Sequence, residues 1–181
     1  LVESITYLGF PLSISETFQQ RNTNMSITQA LNTLEDIKIL CEREDKKLVT
    51  YISMGFGNPY GDPYDTDLVA SFVDILLTLG SDIISLADTI GASDPKHIHN
   101  LFTALSNRYP SAEIGVHLHS TPDTAADKIK AALNAGCKRF DGAIGGYGGC
   151  PMAKDDLVGN LATETILSTM EQMGIKTRIN H

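Results

Sequence analysis

His117-Leu118-His119 sets two imidazoles two positions apart. On a strand that spacing turns both to one face, with Cα atoms roughly 6–7 Å apart, close enough for both rings to reach one metal ion. The plain alternative is two polar rim residues, each with its own partner. Further on, Gly145-Gly146-Tyr147-Gly148-Gly149 leads to Cys150 and Pro151. Glycine reaches backbone angles closed to other residues, so such a loop can move and can bring backbone close to a ligand. A thiol at its tip is a proton donor or nucleophile if its pKa is lowered; otherwise it is a surface turn with an incidental cysteine. Lys154 is a cation near it in sequence.

Asp88-Thr89 closes an apolar run. A carboxylate there can support a metal ligand, orient a histidine or act as a base. It can also simply bond to the loop that follows. Asn160 and Glu164 flank the start of the last helical stretch, the first as a cap or oxygen ligand, the second as support for the site or plain helix surface.

The elements that must position these groups alternate. Strands are expected over residues 3–8, 48–53, 82–86, 114–119 and 139–144, and a polar loop over 9–25. Ser26 with Gln29 matches a capping box, and Ala30, Leu31, Leu34, Ile37, Leu40 and Cys41 follow at helical spacing. Asp65 and Asp94-Pro95 open two more helices, with His97 and His99 on the polar side or rim of the second. Thr121-Pro122 opens another, and a last helix covers about residues 161–173. Gly80, Gly136 and Gly174 stand as stops. Strand–helix alternation with short links predicts a parallel α/β sheet. In such sheets function gathers at the C-terminal strand ends. Ser53, Asp88-Thr89, His117 with His119, and Cys150 follow four successive strands. That distribution suits a (β/α)8 TIM barrel of which this chain carries about five βα units, the C-terminal five, in a single domain over residues 1–181. The chain opens on Leu1, already close to a strand, so three units are expected before it. No GxGxxG follows the first strand and no GxxxxGK[ST] occurs.

Composition narrows the partners. A net charge of -8 argues against a general nucleic-acid or membrane-surface binder, and no apolar run approaches the ~20 residues that span a bilayer. Three cysteines, Cys41, Cys137 and Cys150, form no CxxC pair. Free thiols in a reducing compartment are expected, hence a cytoplasmic location.

Taken in order, Ser85-Leu86-Ala87-Asp88-Thr89-Ile90-Gly91, His117-Leu118-His119, Gly148-Gly149-Cys150-Pro151 with Ala153, and Gly159-Asn160-Leu161-Ala162-Thr163-Glu164 resemble 3-hydroxy-3-methylglutaryl-CoA lyase of the metallolyase TIM barrels. The first two motifs recur in related Claisen-type synthases, and the glycine–cysteine–proline loop points to the lyase branch. The resemblance implies cleavage of 3-hydroxy-3-methylglutaryl-CoA to acetyl-CoA and acetoacetate. It implies Mg2+ or Mn2+ held by His117, His119 and Asn160, with an aspartate from a preceding strand. Cys150 would be the loop thiol, Asp88 part of the acid/base network, and His117 a second proton-transfer group. Glu164, Thr89 and Ser53 would support the site or the substrate, and Gly145, Gly146, Gly148 and Gly149 would form a flexible loop. An acyl-CoA is then the implied partner, with room for a homodimer.

The chain departs from that family in places. The residue after the second histidine is Ser120 in place of aspartate, Met152 stands for the tyrosine after the cysteine–proline pair, and Cys150 to Asn160 is one residue longer. These changes leave open a lyase on another hydroxyacyl-CoA, an acyl-CoA condensing synthase, or an inactive fragment.

Overall fold

The computed structural model describes residues 3–150, 158–177 and 179. Pro151, Met152, Ala153 and Lys154, with the rest of 151–157, lie outside them. In chain order the elements are β1 (Tyr7–Ser13), α1 (Glu16–Thr23), α2 (Ile27–Arg43), β2 (Lys47–Ser53), α3 (Thr66–Thr78), β3 (Ile83–Asp88), α4 (Pro95–Arg108), β4 (Ile114–Ser120), α5 (Ala125–Asn134), β5 (Phe140–Asp141), a 3-10 turn at Ile144–Gly146, β6 (Gly159–Asn160) and α6 (Thr163–Gln172).

Strands β1 to β5 lie side by side in sequence order, all parallel, as consecutive staves of a barrel would. All six residues of β3 are buried, as befits a parallel strand covered on both faces. The core joins Leu12, Ile52, Leu86, Val116 and Leu118 of the strands to Leu34, Val73, Leu76, Ile98, Leu101 and Ile129 of the helices. Each such side chain contributes about 1.5–3 kcal/mol relative to leaving it in water. No helix among the described residues is long and apolar enough to cross a membrane.

Helix starts follow the expected chemistry. Ser26 and Gln29 form a reciprocal capping box, Asp65 accepts from the Leu68 N–H, and Asp94 accepts from the His97 N–H ahead of Pro95. Ser15 caps α1 in the same way.

Four boundaries differ from the sequence expectation. The first strand begins later and continues through Ser13, and α1 occupies much of the stretch expected to be loop. Gly9 and Pro11 read as breakers, yet β1 pairs only with β2 among the described residues, and an edge strand tolerates proline. Helix α1 buries only Phe18 and Gln19, so it carries no apolar stripe to announce it. The fifth strand shrinks to Phe140–Asp141 because Gly142 runs directly under the Leu161 carbonyl and the Ile166 side chain. The fifth helix starts at Ala125, not at Thr121-Pro122, which form a turn before it. The last helix starts at Thr163, and Asn160 is not its cap. Asn160 belongs instead to β6, a two-residue strand that pairs antiparallel with β4. His97 is also more than a rim residue: its Nε2 lies 2.8 Å from the Tyr64 hydroxyl. His99 is exposed, as expected.

Candidate active site

Strand β4 carries the site. Its register sets His117 beside Ala87 of β3 and Asp141 of β5, and sets His119 beside Asn160 of β6. The two rings meet edge-on with centroids 5.1 Å apart, and their Nε2 atoms are 3.2 Å apart. Two nitrogens about 2.1 Å from one cation and subtending roughly a right angle stand at that separation. Nδ1 of both rings is buried without a hydrogen-bonding partner among the described residues.

Both imidazoles are held below the ordinary histidine pKa. For His117 the cause is burial, reinforced by the neighbouring His119, with Asp141 and Asp88 acting the other way. For His119 it is burial again, opposed by Asp88, the Thr89 carbonyl and the Asn160 side chain. Neutral imidazole is the ligating form, so burial favours a metal and disfavours a proton.

Asn160 donates its amide N–H to the Tyr147 carbonyl at 2.9 Å, and its backbone N–H donates to the Gly148 carbonyl at 3.0 Å. It therefore ties the glycine loop to the histidine pair. Among the described residues no three His, Cys, Asp or Glu side chains cluster around one point. Two imidazoles and an amide oxygen make a partial donor set that suits a hard divalent ion and leaves positions for oxygen ligands from elsewhere. These residues fit such an ion.

A cleft of about 510 Å³ opens beside them, lined by Tyr51, Ser53, Thr89, His117, His119, Cys150 and Asn160, with Phe18 and Asn22 of α1 at its rim. Cys150 thus shares a cleft with the histidines. Gly145, Gly146 and Gly148 before it hold φ of 66°, 69° and 90°, angles that favour glycine. A side chain on Gly149 would press on the Val158 carbonyl.

The remaining expected residues take supporting positions. Thr89 accepts from the Met54 N–H at 2.8 Å and so fastens the turn after β2. The Ser53 carbonyl accepts from the Ile14 N–H at 3.2 Å. Glu164 is exposed and accepts from the Gly145 N–H at 3.0 Å, anchoring the start of the glycine loop. Asp88 is almost wholly buried and does not line the cleft. Its carboxylate accepts from the Ser93 N–H and hydroxyl and pairs with Lys128 Nζ at 2.9 Å. The loop-bonding alternative describes much of what Asp88 does.

Two residues were not picked out by sequence. Tyr51 packs edge-on against His117 with centroids 5.6 Å apart, over Gly9, where a Cβ would come within 3.1 Å of the ring. Lys128 is 4% exposed. A signal for it existed: Ala125, Lys128, Ile129 and Ala132 form one helical stripe, all buried, so the lysine sits where an apolar residue is the rule.

A profile described as HMGL-like matches residues 7–181. The chain is 36% identical over 168 residues to the hydroxymethylglutaryl-CoA lyase YngG of Bacillus subtilis, covering 93% of this chain and 56% of that protein. It is 32% identical to the mitochondrial hydroxymethylglutaryl-CoA lyase of Mus musculus, over 93% of this chain and 51% of that one. Among solved structures, the HMG-CoA lyase of Bacillus subtilis superimposes with a TM-score of 0.89 at 35% identity, over 97% of this chain and 58% of that chain. The Acinetobacter baumannii HMG-CoA lyase, solved with coenzyme A and 3-methylmalate, superimposes with a TM-score of 0.86 at 29% identity, over 97% and 57%. The chain therefore spans about half the length of the relatives it matches, and its parallel sheet is part of their barrel.

Proposed function

This chain belongs to the HMGL-like family, and we propose that the protein carrying it is a divalent-metal-dependent carbon–carbon lyase cleaving 3-hydroxy-3-methylglutaryl-CoA to acetyl-CoA and acetoacetate. The observation that carries the proposal is the His117–His119 pair, with Nε2 atoms 3.2 Å apart, sharing one cleft with Cys150 and Asn160. Histidines and amide oxygen together suit Mg2+ or Mn2+, and the acyl-CoA is the partner that the cleft receives.

A divalent cation bound there supplies Lewis-acid polarisation of the substrate's hydroxyl and carboxylate oxygens. The chain's own residues do the rest. His117, His119 and Asn160 hold and orient the cation. His117, kept neutral by burial, is available to accept the hydroxyl proton as the carbon–carbon bond breaks. Cys150 stands across the cleft as the proton donor that converts the acetyl-CoA enolate to product. The glycine loop brings that thiol over the site and excludes water, which protects the enolate. Asp88 acts from behind His119, as a buried charge in the acid/base network. Ser53, Thr89 and Glu164 keep the turn after β2 and the base of the glycine loop in place. Free thiols throughout the described residues agree with a reducing, cytoplasmic setting.

The test is a coupled acetyl-CoA assay on the full-length polypeptide with Mg2+ or Mn2+. Metal-dependent product is expected, with kcat reduced about 10²–10⁴-fold by Cys150→Ala or His117→Ala. A folded, metal-loaded, full-length protein that releases no acetyl-CoA would overturn the substrate and direct the search to other hydroxyacyl-CoA thioesters.

A further inference from the structure

Lys128 lies on the inner stripe of α5 and is nearly sealed from water, its side chain 5% exposed. Lysine at a helix surface ordinarily extends its ammonium into solvent. Here the ammonium turns inward and meets three acceptors: Asp88 Oδ2 at 2.9 Å, the His119 carbonyl at 2.9 Å and the Gly91 carbonyl at 3.2 Å. An ammonium has three protons, so all are donated.

The choice of acceptors is informative. Asp88 and Gly91 lie at and just beyond the C-terminal end of β3, and His119 lies at the end of β4. One side chain from α5 therefore joins the ends of two neighbouring strands. His119 is also the residue whose backbone pairs with Asn160. The atom that Lys128 grips is thus the carbonyl of one metal-ligand candidate and of the strand partner of another. A methionine would fill the same space and spare the desolvation of an ammonium, but it could not donate to a carbonyl. Buried ion pairs commonly add little net stability over an apolar replacement, so stability gives a weak reason to keep a charge here.

We infer that Lys128 is a positioning residue for the metal site: its ammonium brackets the Asp88 carboxylate with the His119 and Gly91 carbonyls and so fixes the end of β4 from which His119 and, through pairing, Asn160 present their donors. The inference deepens the lyase reading and rests on it. The bracket acts on the ligands from behind, as groups that orient metal ligands do, and its loss is expected to weaken metal binding about 10–100-fold.

The experiment compares the wild-type full-length polypeptide with Asp88→Asn, Lys128→Arg, Lys128→Met and the double variant Asp88→Asn/Lys128→Met. Free Mn2+ is read by electron paramagnetic resonance, the melting temperature by circular dichroism, and kcat and KM by the acetyl-CoA assay. Lys128→Met alone leaves a buried carboxylate without its partner and is the variant most prone to misfold. The double variant removes both charges and keeps the test open. Relative to Asp88→Asn, the double variant is expected to melt at a similar temperature yet bind Mn2+ at least about tenfold more weakly. Its kcat should recover as Mn2+ is raised, with KM little changed, and Lys128→Arg should restore part of the affinity. A double variant that folds and binds Mn2+ as Asp88→Asn does would overturn the inference while leaving the metal site standing. Wild-type protein that binds no Mn2+ would overturn both.

Discussion

The reactive groups of this chain differ in how burial treats them. His117 and His119 are pushed below the usual histidine pKa, which releases both for ligation near neutral pH. Cys137 is pushed the other way: burial raises its thiol to about 12. Cys41 is likewise buried and raised. Cys150, part-exposed at the cleft, is the accessible one. Native protein treated with an aromatic disulfide reagent is therefore expected to lose one thiol quickly, and Cys150→Ala should abolish that fast phase. Raising the pH from about 7 to about 9 should not bring Cys137 into reach, since at three units below its pKa roughly a thousandth of it is thiolate. Fast labelling of two or more thiols in the folded protein would contradict the burial described here. Sequence placed Cys150 apart from the other two by its glycine neighbours alone. It did not separate Cys137 from Cys150 by chemistry, because that difference is made by what packs around each.

At the scale of elements, short segments decide the site. Strand β6 has two residues, yet it brings Asn160 against His119 from across the glycine loop. The ends of the longer strands depend on single polar side chains. Asp82 accepts from the Leu48 N–H at 2.9 Å and from Lys38 at 3.1 Å, joining the starts of β2 and β3 to α2. Burial alone would raise its pKa, but these two donors outweigh it and the net direction is down from 3.8. A carboxylate whose folded pKa is depressed adds stability that is present above its unfolded pKa and is lost as pH falls through the folded value. Asp82→Ala is thus expected to cost about 1 kcal/mol at pH 7, discounted for its part-exposed carboxylate, with the gap from wild type closing below about pH 4. Chemical denaturation across pH reads this directly; a gap that widens in acid would reverse the sign. The N-caps at Ser26, Asp65 and Asp94 were legible in sequence because a cap is a local bond between near neighbours. Helix α1 was not, because Ser15 and one buried aromatic carry it and its other support is distant: Asp62 accepts from Ser15 and from the Thr17 N–H and hydroxyl.

For the molecule as a whole, the order of strands matters most. Among the described residues β1 and β5 each have one partner, so two strand edges of the sheet carry backbone groups with no neighbouring strand. Open edges invite pairing with another chain. A polypeptide confined to residues 1–181 is therefore expected to self-associate in a concentration-dependent way on size-exclusion chromatography and to give no turnover. A longer polypeptide whose preceding strands complete the barrel is expected to be monodisperse and active. A monomeric, active 181-residue chain would show that this half of the barrel suffices.

Several features were fixed by local chemistry and could be read from residue order. Alternating apolar strands and capped helices specified a parallel α/β sheet, the histidines two apart specified one shared face, and the glycines specified a loop with positive φ before Cys150. These depend on period, capping and backbone sterics, which act over a few residues. Other features came only from tertiary structure. They include the 3.2 Å Nε2 separation, the pairing of Asn160 with His119, the packing of Tyr51 on His117, and the turn of Lys128 inward to Asp88, forty positions away. Each is a long-range contact between elements that period and propensity treat separately. A lysine on a helix reads as solvent-facing until the strand ends beside it supply three acceptors for its buried charge.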